Sequence, residues 1–502
     1  MRNGVFFMQK FVIKNGKVCD GISQNIRNSD ILVENGRIAD ISENINGDYM
    51  IFDAAGKIVA PGFIDAHSHS ELRKLKYPEN RTKIMQGVTT EVDGHCGISS
   101  NCFAYDDGVF KWNSFAEYLE LLSETRPSTN SVFLVGHNDL RRSVMDGKPA
   151  IAADDEIKAM QRTFQELLEQ GAAGFSSGLT YFPGKFADTR EMKAIASVLR
   201  NTEKIYTSHI RDEGDDILNA ADEALAIAAA GNGRFQFSHM KTMFQRNWHK
   251  LDALLEKIET AQRNGLDVTA DRYPYVYSAT GLHQILPPPF DKNEKISTYL
   301  RESGFNRNEV ENALKNSPRD LNSTILVNYG KTIGELAAER NVSVEHAAME
   351  CLMENNLQRA AYLAMSPENL KKILALPYVC AGSDGISSQL DDANDFVHPR
   401  AAGTFPAFFR MVSSTCSVAE AVRRMTSLPA QIYRIHRRGA LQKGYFADIV
   451  IFDAEKFDSH AGFDGKNQFP TGIDKVFVNG KLAYDSQTPE IINRHGKFIP
   501  IN

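Results

Sequence analysis

Eight short apolar runs recur along the middle of the chain, and most are followed by polar stretches with helical spacing. Apolar runs of this length predict buried strands, whereas stretches such as DDEIKAMQRTFQELLEQG predict amphipathic helices. Eight strand–helix units indicate an α/β fold of the (β/α)8 TIM-type barrel class. The runs are KIVAPGFIDAHSH, GVTTEVDGHCG, SVFLVGHND, AAGFSSGLTY, IYTSHIRDEG, RFQFSHMKT, LDVTADRYPY and LPYVCAGSDG.

Both ends of the chain are rich in short β-like runs. Asn15-Gly16 and Asn35-Gly36 have the chemistry of hairpin turns, and the carboxyl end has the same texture in IDKVFVNGKLAYD. We therefore expect a small β-sandwich domain built from residues 1–61 and 430–502, flanking a barrel at 62–429. A stretch of about 287–350 is too long for a simple loop, and it predicts an inserted subdomain near the barrel mouth.

The composition and charge argue against nucleic-acid-binding and membrane-spanning proteins. Of the 502 residues, 42% are hydrophobic and 24% are charged, with a net charge of −6 and no basic run, which argues against a nucleic-acid partner. No run reaches the roughly 18 uninterrupted apolar residues of a membrane span. The amino end lacks a signal-peptide pattern, so a cytoplasmic location with reduced cysteines is expected. The oligomeric state is left open.

Polar residues that can bind metal stand at the end of nearly every apolar run. His67 and His69 are one residue apart, so their side chains would point to the same face of a strand. In barrels of this class the chemistry lies at the carboxyl ends of the strands. Zinc binds imidazole, thiolate and carboxylate groups, which makes these the metal-ligand candidates: His67, His69, Cys96, His209, His239 and Asp384.

Each candidate alone is compatible with ordinary packing, but together they favour a metal centre. None of the six cysteines forms a CxxC pair, so a zinc ribbon or disulfide framework is not expected. Asp384 at the end of the eighth run is the candidate general base. His137 and His249 are interpreted as structural, and Glu213 with its neighbour Asp212 as orienting His209 or its loop.

Several motifs resemble known families. GFIDAHSHSE, TSHIRDEGD, FSHMKT and AGSDG are similar to motifs of the amidohydrolase superfamily. GVTTEVDGHCGIS, GFSSGLTYFPG, DRYPY and HPRAAGTFP resemble the N-acyl-D-amino-acid deacylases, or D-aminoacylases, within it. The resemblance extends over nearly the whole chain and implies a zinc-dependent enzyme. Its substrates would be small N-acyl-D-amino acids, hydrolysed at a linear amide bond to a carboxylate and a D-amino acid.

The same resemblance implies the roles of individual residues. Cys96, His209 and His239 would hold a tight zinc ion. His67, His69 and Asp384 would form a second, weaker site. Tyr181, Lys241 and Tyr273 would contact the substrate, and Arg400 is a further candidate for binding its carboxylate.

Two alternatives remain open. Dihydroorotase and hydantoinase relatives hydrolyse cyclic amides and bridge two metals with a carboxylated lysine at the end of the fourth strand. Here the fourth run ends GFSSGLTY, and the first lysine after it is Lys185, which disfavours that reading. The second alternative is a non-catalytic metal-binding barrel, against which Asp384 argues.

Two positions depart from the deacylase pattern. His95 stands where asparagine is common, and we expect it to support the site or to pack behind it. Ala279 replaces a serine expected to help hold substrate. The segment SATGLHQILPPPF offers Leu282, Ile285 and Leu286 as an apolar pocket wall, which favours apolar substrate side chains unless the insertion supplies a cation such as Lys292 or Arg301.

Overall fold

The structure is a computed structural model of the 502-residue chain. It describes residues 10–287, 290, 306–317, 319–327, 329–355, 359–390, 398–463, 468–490 and 492–502. Lys292 and Arg301, the basic residues considered for the insertion, lie outside the described residues.

Strands occur at both ends of the chain and throughout its middle. The first five are β1 (Lys10–Val18), β2 (Arg27–Glu34), β3 (Arg37–Ser42), β4 (Met50–Asp53) and β5 (Ile58–Pro61). The middle of the chain contains β6 (Phe63–Asp65), β7 (Val88–Asp93), β8 (Tyr105–Asp106), β9 (Lys111–Trp112), β10 (Asn130–Phe133), β11 (Val135–Gly136), β12 (Gly174–Gly178), β13 (Ile205–His209), β14 (Arg234–Phe237), β15 (Asp267–Arg272), β16 (Tyr277–Gly281), β17 (Ile325–Leu326), β18 (Lys331–Thr332), β19 (Arg359–Leu363) and β20 (Val379–Ala381). The last three are β21 (Ile449–Phe452), β22 (Ile473–Val478) and β23 (Lys481–Asp485).

Helices separate the strands of the middle region. Several begin at a side-chain cap that the sequence makes recognisable; Ser114, for example, accepts a hydrogen bond from the backbone N–H of Glu117. The described helices are α1 (Arg73–Lys76), α2 (Arg81–Ile84), α3 (Phe115–Thr125), α4 (His137–Met145), α5 (Asp154–Glu169), α6 (Thr189–Ser197), α7 (Ile217–Ala230), α8 (Leu251–Arg263), α9 (Arg307–Leu314), α10 (Ile333–Arg340), α11 (Val344–Glu354), α12 (Pro367–Ala375), α13 (Arg400–Thr415), α14 (Val418–Met425) and α15 (Ser427–Ile432).

Each of the eight apolar runs forms a parallel strand. One sheet has the order β10-β7-β6 and another has the order β11-β12-β13-β14-β15-β20. Hydrogen bonds connect the two sheets on both sides: Ala173 N donates to Phe133 O, and Ala66 N donates to Ala381 O. The strands are buried on both faces, as the continuous burial of β7 shows, because helices and neighbouring strands cover them.

The two ends of the chain meet in a single sheet. Its order is β23-β22-β21-β5-β1-β2-β3, and β4 pairs with β1. The junction is the antiparallel pairing of β21 with β5, where Val450 lies opposite Ala60. Phe11 and Phe477, one from each end, stack with ring centroids 4.9 Å apart, so packing as well as hydrogen bonding joins the termini.

The chain between β15 and α12 forms a separate layer. β16 and β19 pair antiparallel and continue into a four-stranded sheet with β17 and β18. This layer has its own apolar core, in which Leu282 and Ile285 are fully buried together with Leu326 and Leu352. We call the stretch from β16 to β19 the insertion.

A network of buried charges lies between the first two parallel strands. Lys83 Nζ donates to Asp65 Oδ2 at 2.6 Å, while Lys74 Nζ lies 3.2 Å from Glu91 and 2.5 Å from Asp93. All five side chains are fully buried, so each charge depends on its partners for stabilisation. Among the helices that the structure describes, none has the length and apolar character to cross a membrane.

Candidate metal centre

Three of the metal-ligand candidates follow parallel strands in an uncommon backbone conformation. Cys96, His239 and Asp384 have φ angles of 54°, 39° and 48°. Residues other than glycine seldom adopt positive φ, and such residues concentrate at functional sites. Because the chain turns sharply after β7, β14 and β20, the three side chains point toward a common space.

Four candidates form a compact buried group. Cys96 Sγ lies 3.5 Å from His67 Nε2 and 3.5 Å from His239 Nε2. Asp384 Oδ1 lies 3.6 Å from His67 Nε2. The donor atoms of His67, Cys96, His239 and Asp384 all lie within 4.8 Å of one another, which is compact enough for one ion to contact them all.

His209 and His69 lie at the edges of this group. His209 Nδ1 is 3.9 Å from Cys96 Sγ, and His69 Nε2 is 3.2 Å from Asp384 Oδ1. All six candidates are therefore neighbours. The structure does not separate them into two sets of three, however, since Cys96 and His239 contact both sides of the cluster.

Glu213 is a member of the cluster that the sequence analysis placed only in a supporting role. Its carboxylate lies 3.3 Å from His209 Nε2 and 3.0 Å from His239 Nδ1, and these three form a second metal-capable group. Its position four residues after His209 was the signal available in the sequence. Burial opposes its ionisation, but His209 and Lys241 hold the pKa of Glu213 well below its usual range.

Lys241 is paired inside the protein. Its Nζ donates to Glu213 Oε1 at 2.6 Å and lies 2.7 Å from His239 Nδ1. Lys241 lines the cavity while remaining almost fully buried. The lysine thus anchors Glu213 and His239, and it also faces the space where substrate would lie.

Asp384 is held between positive groups. Arg400, the first residue of α13, places Nη1 2.7 Å from Asp384 Oδ2. Burial opposes ionisation of Asp384, but Arg400 and His239 hold its pKa well below the usual range. The carboxylate is consequently ionised.

Asp271 orients the cluster from behind. Its Oδ1 lies 3.0 Å from His67 Nδ1 and accepts a hydrogen bond from the backbone N–H of His239. A His67 Nδ1–H donated to this carboxylate leaves Nε2 free to face Cys96, as is usual for metal-binding histidines. Burial lowers the pKa of His67 well below its usual value, which favours the neutral ligand form.

His95 packs behind His67 and stays outside the cluster. The two rings stack with centroids 3.9 Å apart, and His95 Nε2 lies 3.4 Å from the Tyr433 hydroxyl. The expectation that His95 supports or packs against the site agrees with this position.

A cavity of about 1130 Å³ opens onto the metal cluster. All four residues expected to contact substrate line it: Tyr181, Lys241, Tyr273 and Arg400. Tyr181 Oη lies 3.5 Å from His209 Nδ1, and Arg400 lies over the Tyr273 ring, 4.8 Å from its centroid. Ala279 also reaches the cavity, at the position where the deacylase pattern has serine.

The expected apolar wall is wrong in two respects. Of the predicted wall residues Leu282, Ile285 and Leu286, only Leu286 lines the cavity. Leu282 and Ile285 are fully buried in the core of the insertion. The insertion instead contributes Arg319 and Arg359 to the wall. Neither arginine lies in a motif, so the sequence carried no signal for their position.

Known proteins are similar to this chain over nearly its whole length. The model of the amidohydrolase family matches residues 50–484. N-acyl-D-glutamate deacylase of Alcaligenes xylosoxydans xylosoxydans is 33% identical over 509 residues, which cover 97% of this chain and 96% of that protein.

Two solved structures have similar folds. The crystal structure of N-acyl-D-glutamate deacylase from Bordetella bronchiseptica contains zinc and a phosphonate inhibitor that mimics the tetrahedral intermediate of the reaction. It matches with a TM-score of 0.82 and 32% identity, covering 98% of this chain and 99% of that chain. A D-aminoacylase, described for its binuclear metal centre with one-metal activation and second-metal attenuation, matches with a TM-score of 0.82, 30% identity and the same coverage. Because the family model and the deacylase relatives extend over nearly its whole length, this chain belongs to the amidohydrolase family.

Proposed function

We propose that this protein is a zinc-dependent deacylase that hydrolyses the linear amide bond of N-acyl-D-amino acids. The observation that carries the proposal is the buried group of His67, Cys96, His239 and Asp384, which faces a large cavity. The preference for D-amino acids rests on the deacylase and D-aminoacylase relatives.

The residues of the cluster fit a zinc ion. Imidazole, thiolate and carboxylate are the ligand types that zinc selects, and four such donors converge within 4.8 Å. Cys96, His209 and His239 would hold the tight ion, with Glu213 as an additional donor. His67, His69 and Asp384 would form the weaker site. A bound zinc ion supplies an activated water near neutral pH and polarises the substrate carbonyl.

Asp384 would move the proton. As an ionised carboxylate it accepts a proton from the attacking water and then donates it to the leaving amine. Arg400 keeps Asp384 ionised between turnovers, since the two groups are 2.7 Å apart. Tyr181, Lys241 and Tyr273 would bind and orient the substrate, and Arg400 would join Lys241 at its α-carboxylate, which requires cationic and hydroxyl donors.

The fold supports an organisation into three parts. We propose that the eight parallel strands close into a (β/α)8 barrel at 62–429, because hydrogen bonds connect consecutive strands and connect β20 back to β6. The sheet shared by the termini supports a β-sandwich domain of residues 1–61 and 430–502. The separate core of the insertion supports an inserted subdomain at about 287–350.

The residues at the end of the fourth parallel strand, β12, argue against a cyclic-amide hydrolase. Gly178 ends β12, and a Cβ built there would lie 2.1 Å from the carbonyl oxygen of Cys96. No side chain fits at that position, and a bridging lysine would need different backbone packing.

The test is a hydrolysis assay with the purified, zinc-loaded protein. The panel contains N-acetyl-D-amino acids, their L-enantiomers, dihydroorotate and hydantoin, and zinc content is measured in the same preparation. We expect release of free amine from the D-substrates only. Turnover of the cyclic amides alone, or of none of the panel, would contradict the proposal.

A further inference from the structure

Arg319 of the insertion reaches the wall of the cavity that contains the metal centre. Its guanidinium lies over the Tyr362 ring, 4.1 Å from the centroid, and its Nε donates to the carbonyl oxygen of Gln284 at 3.1 Å. Stacking sets the plane of the guanidinium and the hydrogen bond sets its rotation. Arg319 is therefore held in one orientation.

Four other cations of the wall have carboxylate partners. The pairs are Lys241 with Glu213, Arg400 with Asp384, Arg246 with Asp215, and Arg211 with Glu223. Arg319 differs from them, because its Nη1 is buried and has no hydrogen-bond partner among the residues that the structure describes.

An unpartnered buried donor of this kind is costly, since the group has lost water without gaining an acceptor. Burial lowers the pKa of Arg319, while Tyr362, Tyr181 and Glu213 oppose that shift. Tyr181 contacts His209, and Glu213 belongs to the metal-capable cluster, so Arg319 lies on the same side of the cavity as that cluster. An anion in the cavity would supply the acceptor that Nη1 lacks.

We propose that Arg319 binds a second carboxylate of the substrate, distinct from the α-carboxylate that Lys241 and Arg400 serve. The inference rests on the proposed deacylase function and adds that the preferred substrates are N-acyl-amino acids with two carboxylates. A planar guanidinium binds a carboxylate through two parallel hydrogen bonds, which suits a selectivity role. The second carboxylate belongs to an acidic side chain or to the acyl group.

This inference replaces the expectation of an apolar side chain. That expectation required the cavity to have no cation besides Lys241 and Arg400, and it relied on Leu282 and Ile285 as a wall. The side chains of Leu282 and Ile285 belong to the core of the insertion, and Arg319 lines the cavity.

The experiment compares five substrates on the zinc-loaded enzyme and on Arg319→Gln. N-acetyl-D-Glu and N-acetyl-D-Asp carry the second carboxylate on the side chain, and N-succinyl-D-Leu carries it on the acyl group. N-acetyl-D-Gln and N-acetyl-D-Leu lack it. We expect a dicarboxylate substrate to have the highest kcat/KM and Arg319→Gln to lower that value by about 100-fold. For the two monocarboxylate substrates, N-acetyl-D-Gln and N-acetyl-D-Leu, the change should stay within about threefold.

Arg246→Gln is the matched control. Arg246 also lines the cavity, but its Nε and Nη2 both donate to the Asp215 carboxylate. In this variant the ratio of kcat/KM for dicarboxylate substrates to kcat/KM for monocarboxylate substrates should equal that of the wild type. The ratio is measured within each preparation, so it does not depend on the folded fraction.

The outcomes separate the two proposals. A loss confined to the side-chain acids assigns Arg319 to the side chain, and a loss confined to N-succinyl-D-Leu assigns it to the acyl group. Equal losses of kcat/KM on dicarboxylate and monocarboxylate substrates would overturn the role of Arg319 and leave the deacylase function intact. A wild-type enzyme that prefers N-acetyl-D-Leu would do the same. A wild type that hydrolyses none of the five would overturn the deacylase function itself.

Discussion

The Arg400 guanidinium lies 2.7 Å from one oxygen of the Asp384 carboxylate, and both side chains are almost fully buried. The other oxygen of Asp384 lies 3.2 Å from His69 Nε2. A buried carboxylate with a cation on one side and an imidazole on the other stays ionised. In the proposed mechanism the two residues have separate roles: Asp384 takes the proton, and Arg400 keeps the Asp384 carboxylate charged.

Asp384→Asn should lower kcat by about 100- to 10,000-fold, the usual contribution of a general acid–base group. The amide has nearly the same size but cannot accept the proton. Steady-state kinetics with the best N-acyl-D-amino acid would measure the effect, and metal analysis should find the zinc of the tight site still bound. Near-normal turnover with bound zinc would exclude Asp384 as the base.

Cys96→Ala should abolish tight zinc binding, because Cys96 Sγ is the thiol around which His67, His209 and His239 are arranged. Metal content after dialysis would measure the loss. Cys102→Ala is a suitable control, since Cys102 is also buried but its sulfur faces the carbonyl oxygen of Leu134. Retention of zinc in Cys96→Ala, or equal loss in both variants, would contradict the ligand assignment.

Removal of metal by a chelator should abolish hydrolysis, and added zinc should restore it. The cluster residues alone lack an activated nucleophile, because no amide is attacked by water at a useful rate near neutral pH without activation. Titration of the metal-free protein with zinc, followed by activity, would show how many ions are required. Full activity in thoroughly metal-free protein would contradict zinc dependence.

Lys83→Met should destabilise the fold by about 3–5 kcal/mol, since it removes the cation that lies 2.6 Å from the buried Asp65 carboxylate and leaves Glu91 with Lys74 alone. Lys257→Met removes the partly exposed pair with Asp222 and should cost less than about 1 kcal/mol. Thermal unfolding of the two zinc-loaded variants would compare them. Equal midpoints would show that the buried network contributes no more than a surface pair.

Much of the fold was predictable from the sequence because it depends on local patterns. Each of the eight apolar runs became a parallel strand, and helix-like stretches such as SFAEYLELLSE became helices. Burial on both faces makes such strands uniformly apolar, which is a signal visible without a structure. The β-rich ends likewise form one shared sheet.

The convergence of the metal-ligand candidates was also predictable, for a reason of geometry. The carboxyl ends of parallel strands lie at the same edge of a sheet, so residues that end several such runs become neighbours. His67, His69, Cys96, His209, His239 and Asp384 follow this rule, and all six lie in or beside one cluster.

Only the tertiary structure decided which charges are paired and which are not. Glu213 binds Lys241, Arg400 binds Asp384, and Arg319 remains without a carboxylate among the described residues. The members of the two pairs are not close in sequence, and no periodicity encodes their pairing. Chain sequence specifies the type and spacing of ionisable groups, whereas their pairing depends on distances and burial that arise when separate segments pack together.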